Sequence, residues 1–292
     1  MDFAKKISLA LAICFVFTAN CYAKNCKKGI PCGNSCISAN KTCRIDSYPV
    51  SGKSQPKSAS TSTSTSTSTS TSAEVESSIV AISKQNFNTA KTHLVKIYKE
   101  NPEQTTFYCG CNFSFDGKKG SIDFSQCGYK PRKNEQRASR IEWEHVMPAE
   151  NFGRHLQCWQ EGGRKGCKQD TIFNAMEGDL HNLQPAIGEV NGDRSNYRYS
   201  QFTKEFSQYG QCQSAVDFKA RVFQPRQQIR GVIARTYFYM QNKYNINLSD
   251  SDNKLMLAWN EMYPPKQWEC DRNRQIEKIQ GNDNKFISEQ CK

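Results

Sequence analysis

Arg140-Ile141-Glu142-Trp143-Glu144-His145-Val146-Met147-Pro148-Ala149 sets a carboxylate directly beside an imidazole and then runs into a proline. The segment reads as a strand that gives way to a loop at Pro148, because proline removes a donor from the sheet ladder. On an extended backbone Glu144 and His145 point to opposite sides, so both serve one site only where the chain bends or where they act at different depths. Downstream, Gly178-Asp179-Leu180-His181-Asn182-Leu183-Gln184-Pro185 reads as a second strand, and Ala186 onward as a helix presenting Asn191. Two strands followed by a helix can bring one strand carboxylate and one helix carboxamide to a single divalent ion. A hard-metal ligand, a neutral-pH base and a carboxamide ligand are the parts needed to break a phosphodiester.

The chain has only four histidines, His93, His145, His155 and His181, so the base comes from a short list. His145 is chosen for its neighbour, with an ordinary pKa near 6.5 expected. His93 and His155 fall outside any motif, and His181 and Asp179 read as structural residues of a strand core. Asp193-Arg194-Ser195-Asn196 reads as the start of a helix, where caps and phosphate contacts look alike, with Arg194 in a subordinate binding role. Tyr197 and Tyr199 are assigned to interior packing.

Outward from this centre, the chain's first residues read as an export leader, residues 1–23: Lys5 and Lys6 precede the apolar run Ile7 to Phe17, and Cys21-Tyr22-Ala23 supplies small residues before Lys24. A lipoprotein reading through Cys21 is weaker, since Asn20 stands where a small residue is expected. That run is too short to span a membrane, and no later run reaches the roughly 20 apolar residues needed. Export implies an oxidising compartment. Of the 14 cysteines, setting aside Cys14 and Cys21 leaves an even number: Cys26, Cys32, Cys36, Cys43, Cys109, Cys111, Cys127, Cys158, Cys167, Cys212, Cys270 and Cys291. With no C-x-x-C pair, a disulfide framework fits better than structural zinc. Cys109 and Cys111 are expected to bond to separate partners, and the connectivity is otherwise open.

Residues 24–48 form a Cys-dense module too small for an apolar core. Residues 49–73 hold the alternating Ser-Thr tract Ser60 to Ser72, a tether too polar to offset the entropy of ordering it. Residues 74–292 suffice for one domain with a substantial core. Within it, Val75 to Tyr98 shows near-helical apolar spacing stopped by Pro102, and Phe107 to Phe115 reads as a strand that turns at Asp116-Gly117 into a second at Ser121 to Phe124. A helix from Pro225 carries Ile229, Val232, Ile233, Thr236, Tyr237 and Met240 on one stripe, with Arg226, Arg230, Arg235 and Lys243 on a basic outer face. Another runs from an Asp252 cap to Tyr263, ended by Pro264-Pro265. The formal charge of +12 favours polyanionic partners, though it equally suits a soluble basic exported protein.

From about Phe107 through Lys243 the chain resembles the endonuclease I family of periplasmic and secreted bacterial nucleases, on the strength of the Glu144-His145 motif and of Gly188-Glu189-Val190-Asn191-Gly192-Asp193-Arg194-Ser195-Asn196. The resemblance implies an α+β fold, disulfide-stabilised, with a ββα-metal (His-Me finger) core and a small mixed sheet surrounded by helices. It implies Glu144 and Asn191 as metal ligands, His145 as general base and Arg164 as clamp on the phosphate being cut. Glu177, ahead of Asp179-Leu180-His181-Asn182-Leu183, falls near the metal's water shell. Mg²⁺ is the expected ion, with Mn²⁺ or Ca²⁺ as substitutes, and DNA and RNA are the expected substrates, cut without sequence preference to leave 5′-phosphates. A monomer, periplasmic or secreted, is expected. The Cys module and the tether depart from the family core and suggest a surface or protein partner. A noncatalytic polyanion-binding protein and a metal-dependent phosphomonoesterase remain as alternatives at this point.

Overall fold

The computed structural model describes residues 30–32, 35–37, 86–101, 104–203 and 207–291, and the chain divides into two compact units, residues 1–60 and 61–292. The expected leader and tether lie outside the described residues, as does the pairing expected among Cys26, Cys32, Cys36 and Cys43. In the first unit β1 (Ile30–Cys32) pairs antiparallel with β2 (Ser35–Ile37).

The first described element of the second unit is α1 (Phe87–Lys99), whose Asn86 cap accepts from the N–H groups of Asn88 and Thr89. The hairpin of β3 (Asn112–Asp116) and β4 (Lys119–Asp123) follows, turning at Gly117 as the Asp-Gly signal predicts. After α2 (Glu135–Ala138) comes β5 (Ile141–His145), then α3 (Ala149–Gly153), α4 (Gln157–Gly166) and α5 (Thr171–Glu177). Strand β6 (Leu183–Ile187) returns antiparallel to β5, with Glu144 opposite Gln184, and runs straight into α6 (Gly188–Arg194). The second strand therefore begins later than its sequence suggests, because Leu180–Asn182 coils into a 3-10 turn capped by Asp179. Asp193 and Arg194 close a helix rather than open one: Ser195 sits at φ 51° as its C-cap.

A three-stranded sheet, β7 (Arg198–Tyr199), β8 (Ala215–Asp217) and β9 (Val222–Gln224), has β9 at its centre, parallel to β7 and antiparallel to β8. The chain ends in α7 (Arg230–Tyr244), α8 (Asp250–Met262), α9 (Gln267–Gln280) and α10 (Lys285–Ser288). The cap of α8 is Ser249, three residues before the expected Asp252.

The basic outer face expected on α7 is reduced to Lys243 in its last turn. Residues Arg230 to Met240 are buried on every side, and the arginines are paired inside: Arg235 with Glu269, Arg230 with the Pro225 carbonyl. Helix α8 covers the stripe that sequence periodicity would leave to solvent. The fold is α+β, with small sheets set among helices, and none of the described helices is long and apolar enough to cross a membrane.

All eight downstream cysteines are bonded, as Cys109–Cys212, Cys111–Cys127, Cys158–Cys167 and Cys270–Cys291. Cys109 and Cys111 do take separate partners.

Candidate active site

Helix α6 explains its own sequence. Glu189 accepts from the backbone N–H groups of Arg132, Lys133 and Asn134 and from the Tyr129 hydroxyl, which ties the helix to the preceding loop. Asp193 takes Arg132 and the Tyr209 hydroxyl on another side. At Gly192 the Arg137 guanidinium packs against the backbone, and a Cβ there, at 2.1 Å from Nη1, would have to push that side chain aside. Between these anchors Asn191 faces a cavity of about 710 Å³.

Glu144, His145 and Arg164 line the same cavity. Glu144 is only 3% exposed. Its Oε1 accepts from the Tyr108 hydroxyl and from Arg194 Nη1, both at 2.6 Å, while Oε2 accepts from none of the described residues. Burial raises this carboxyl above its ordinary range, and Arg194 and Tyr108 act against that rise. Asn191 is half-buried, and its Nδ2 donates to Glu142 at 2.9 Å. Glu142 is itself held by Arg137 and Arg140.

His145 fixes its own tautomer. Nε2 lies 2.8 Å from the Glu177 carbonyl oxygen, which can only accept, so Nε2 carries the proton and Nδ1 keeps the lone pair. Burial pushes the imidazole pKa down to about 3, against the Glu177 carbonyl, which favours the charged ring. The ordinary value expected from sequence is therefore corrected, because the ring is buried between Phe87 and Phe152. At neutral pH the ring is neutral, the form that accepts a proton.

Arg164 is half-exposed and reaches the cavity from a broken helix: α4 leaves helical geometry at Gly162 and Gly163, the latter at φ 58°, a conformation that favours glycine. The Cys158–Cys167 bond closes this segment. Arg164 Nε donates to Glu177 at 2.6 Å. Glu177 thus steadies two site residues, one by side chain and one by carbonyl, and is absent from the cavity wall, where a place beside the metal's waters was expected.

Arg194 also lines the cavity, but it is 1% exposed and its guanidinium binds Glu144 and the carbonyls of His145 and Val146, so it braces Glu144 from behind. His181 lies off the cavity, packed on Tyr239 with Nε2 against the Asn282 carbonyl, beside Asp179. Its burial makes it part of the interior. His155 and His93 do not line the cavity either.

The Endonuclease I family description matches residues 61–291. A periplasmic deoxyribonuclease of Aeromonas hydrophila is 55% identical over 218 residues, covering 74% of this chain and 91% of its own length. The chain belongs to the endonuclease I family. An extracellular deoxyribonuclease of the same organism is 55% identical over 208 residues, with 71% and 90% covered. Endonuclease-1 of Buchnera aphidicola from Acyrthosiphon pisum is 49% identical over 207 residues, with 71% and 82% covered.

Three endonuclease I residues escaped the sequence reading. Tyr108 holds Glu144, Glu142 holds Asn191, and Phe87 packs 4.9 Å from the His145 ring. Glu142 carried a visible signal, since it sits two residues before Glu144 and so shares its side of the strand. Tyr108 and Phe87 carried none: both come from segments distant in sequence.

Proposed function

We propose that this chain is an exported, sequence-nonspecific, Mg²⁺-dependent endonuclease that hydrolyses DNA, and RNA, to 5′-phosphate ends, acting in the periplasm or outside the cell. The observation that carries this reading is the convergence of Glu144, His145, Arg164 and Asn191 on one cavity. On this reading β5, β6 and α6 are the ββα-metal unit.

The donor set fits a hard cation. Among the described residues Glu144 Oε2 and Asn191 Oδ1 have no hydrogen-bond donor, and both side chains belong to residues that line the cavity. Among the described residues no cluster of three or more His, Cys, Asp or Glu forms a closed cage. Two protein oxygens suffice for Mg²⁺, which keeps most of its waters; Mn²⁺ or Ca²⁺ would meet the same donors. When bound, the ion supplies charge stabilisation for the leaving 3′ oxygen.

The chain's own residues do the rest. His145 Nδ1 takes the proton of the attacking water, since the ring is neutral at neutral pH and its Nδ1 lone pair is free to accept. The Glu177 carbonyl holds the opposite ring nitrogen, so the base stays aimed and in one tautomer. Arg164 grips the phosphate through paired donors, and Lys91 adds charge at the rim. These groups address phosphate and none addresses a base edge or a 2′-hydroxyl, which is why one site suits both DNA and RNA.

Plasmid and RNA digestion across Mg²⁺, Mn²⁺, Ca²⁺ and chelator tests the reading. Cutting should need a divalent ion, stop in chelator, weaken steeply with salt, and vanish in a folded His145→Ala variant. Undiminished cutting by His145→Ala, or cutting in chelator, would overturn it. Binding to plasmid without any cleavage would favour a noncatalytic polyanion-binding protein.

A further inference from the structure

Three groups of the candidate site gather around one ring. Phe87, at the start of α1, packs 4.9 Å from the His145 ring, carries the Lys91 ammonium 4.7 Å from its centroid, and has the Arg164 guanidinium 5.7 Å from that same point. Lys91 follows Phe87 by four residues in the helix, the spacing that puts two side chains on one face. The helix therefore brings its own cation to its own ring, where the negative face of the aromatic holds it. Ala90, Leu94 and Ile97 of the same helix are buried, so the seat is fixed to the interior. Phe87, Lys91, His145 and Arg164 all line the first cavity.

The two cations are not interchangeable. Arg164 Nε is engaged by Glu177 at 2.6 Å, which sets the direction of the guanidinium and leaves its terminal nitrogens for a ligand. Lys91 is a compact charge on a flexible stem, with no fixed angle of approach. Because both stand around one ring, the gap between them is at most the two centroid distances laid end to end, a span that neighbouring phosphates of one strand can bridge. A phosphodiester has only two non-bridging oxygens. On the proposed reading the metal ion and Arg164 address those of the phosphate being cut, so an ammonium beside them finds its acceptor on another phosphate.

We propose that Lys91 grips the phosphate next to the one being cut, so that the preferred substrate is a strand with at least two consecutive phosphodiesters, an inference that rests on the nuclease reading. A phosphate contact positions the strand and carries no base information. Lys91 thus adds discrimination by length without adding sequence preference.

The test follows cleavage of one linkage in an end-labelled DNA oligonucleotide, with a neutral methylphosphonate on its 5′ or its 3′ side, by the wild-type chain, Lys91→Gln and Lys96→Gln. Glutamine matches lysine closely in helix propensity, and Lys96 is an exposed residue of the same helix off the cavity, so its variant reports loss of charge alone. Lys91→Gln should raise KM about tenfold with kcat little changed, the scale of one charge-assisted hydrogen bond. A methylphosphonate on one of the two sides should cost the wild type the same factor and cost Lys91→Gln nothing further, as when both changes remove one contact. A dinucleoside monophosphate, which has no second phosphate, should be cut equally by both. Lys91→Gln matching Lys96→Gln, losses that multiply on both sides, or a fall in kcat alone would overturn the proposal and leave the nuclease reading standing. A wild-type chain that cuts no linkage in any divalent ion would instead end the nuclease reading, and this one with it.

Discussion

Two buried ion pairs in this chain join an arginine to a glutamate, and only one borders the candidate site. Arg194–Glu144 and Arg235–Glu269 are equally hidden, with side chains 1% and 3% exposed, and equally short, at 2.6 and 2.7 Å. Arg235 closes its fork on both oxygens of Glu269, Nε on Oε1 and Nη2 on Oε2. Arg194 cannot do so, because Nη1 also binds the His145 carbonyl and Nη2 binds that of Val146. Its one bond to Glu144, like that from Tyr108, falls on Oε1. The carboxylate is anchored and still has an oxygen to give. On the proposed reading, burial and pairing are common to both acids, and the difference that matters is the lone pair Glu144 leaves unused among the described residues.

Neutralising each acid breaks the comparison if it is wrong. Glu144→Gln should cut plasmid about 10²- to 10³-fold more slowly at saturating Mg²⁺, the range for losing one preorganised electrostatic group. Glu269→Gln should lose roughly 3–5 kcal/mol of stability, because Arg235 is left buried and unpaired, yet cleave normally per folded molecule. Urea melts with cleavage assays under folding conditions separate the two. Normal cutting by Glu144→Gln, or equal loss in a folded Glu269→Gln, would erase the distinction.

Glu142 sharpens it, since this acid is also fully engaged but engages a site residue. Its bond to Asn191 Nδ2 turns the carboxamide oxygen toward the cavity. Glu142→Gln should raise the Mg²⁺ concentration for half-maximal cleavage by roughly 10- to 100-fold, with the rate recovering at high metal. A lower maximal rate with an unchanged metal requirement would assign Glu142 to substrate contact instead.

What the sequence made legible follows the same division. The strand holding Glu144 and His145 and the helix holding Asn191 were readable because local residue types carried them: β-favouring runs, Pro148, and Asn191 in a helical turn. The direction of α6 was not, because Asp193-Arg194-Ser195-Asn196 has the composition of an N-terminal cap and only the positive φ of Ser195 reveals a C-terminus. The depressed pKa of His145 was illegible too. It depends on burial against Phe87 and Phe152, and Phe87 arrives from 58 residues upstream. Likewise the arginines of α7 looked solvent-facing by periodicity, and only the packing of α8 and α9 turns them inward.

The Arg164 segment offers a smaller effect. Arg164 is half-exposed and its pairing with Glu177 is correspondingly open to solvent, so covalent closure by Cys158–Cys167 has more to contribute than it would beside the buried pairs. A Cys158→Ser/Cys167→Ser variant should show a few-fold rise in KM with kcat little changed, since the broken helix at Gly162-Gly163 gains freedom to withdraw the clamp. Steady-state kinetics on a defined oligonucleotide decides this. An unchanged KM would place the bond's role in stability alone, where such bridges contribute roughly 2–4 kcal/mol.

The smallest effect concerns the polar cluster of His181 and Asp179, which is buried and lies off the candidate site. Burial pushes His181 down to about 4, against the pull of Asp179, while Arg272 and Lys243 lower it further. Asp179 is held down at about 2: burial would raise it, but Lys243, His181, Tyr244 and Gln280 together outweigh burial. A histidine whose folded pKa is depressed is protonated first in the unfolded chain, so its stabilising contribution is present above about pH 6.5 and is lost as pH falls toward about 4. The Asp179 contribution is lost only in more acid solution, through about pH 2. Thermal midpoints should therefore decline on acidification from about pH 6.5, by roughly 2–4 °C for each kcal/mol lost. His181→Gln should flatten the decline between about pH 6.5 and 4 and leave the Asp179 step, and the difference between the two curves isolates His181 from His145. Parallel curves would mean that His181 meets the proton equally in both states, which its packing on Tyr239 makes untenable.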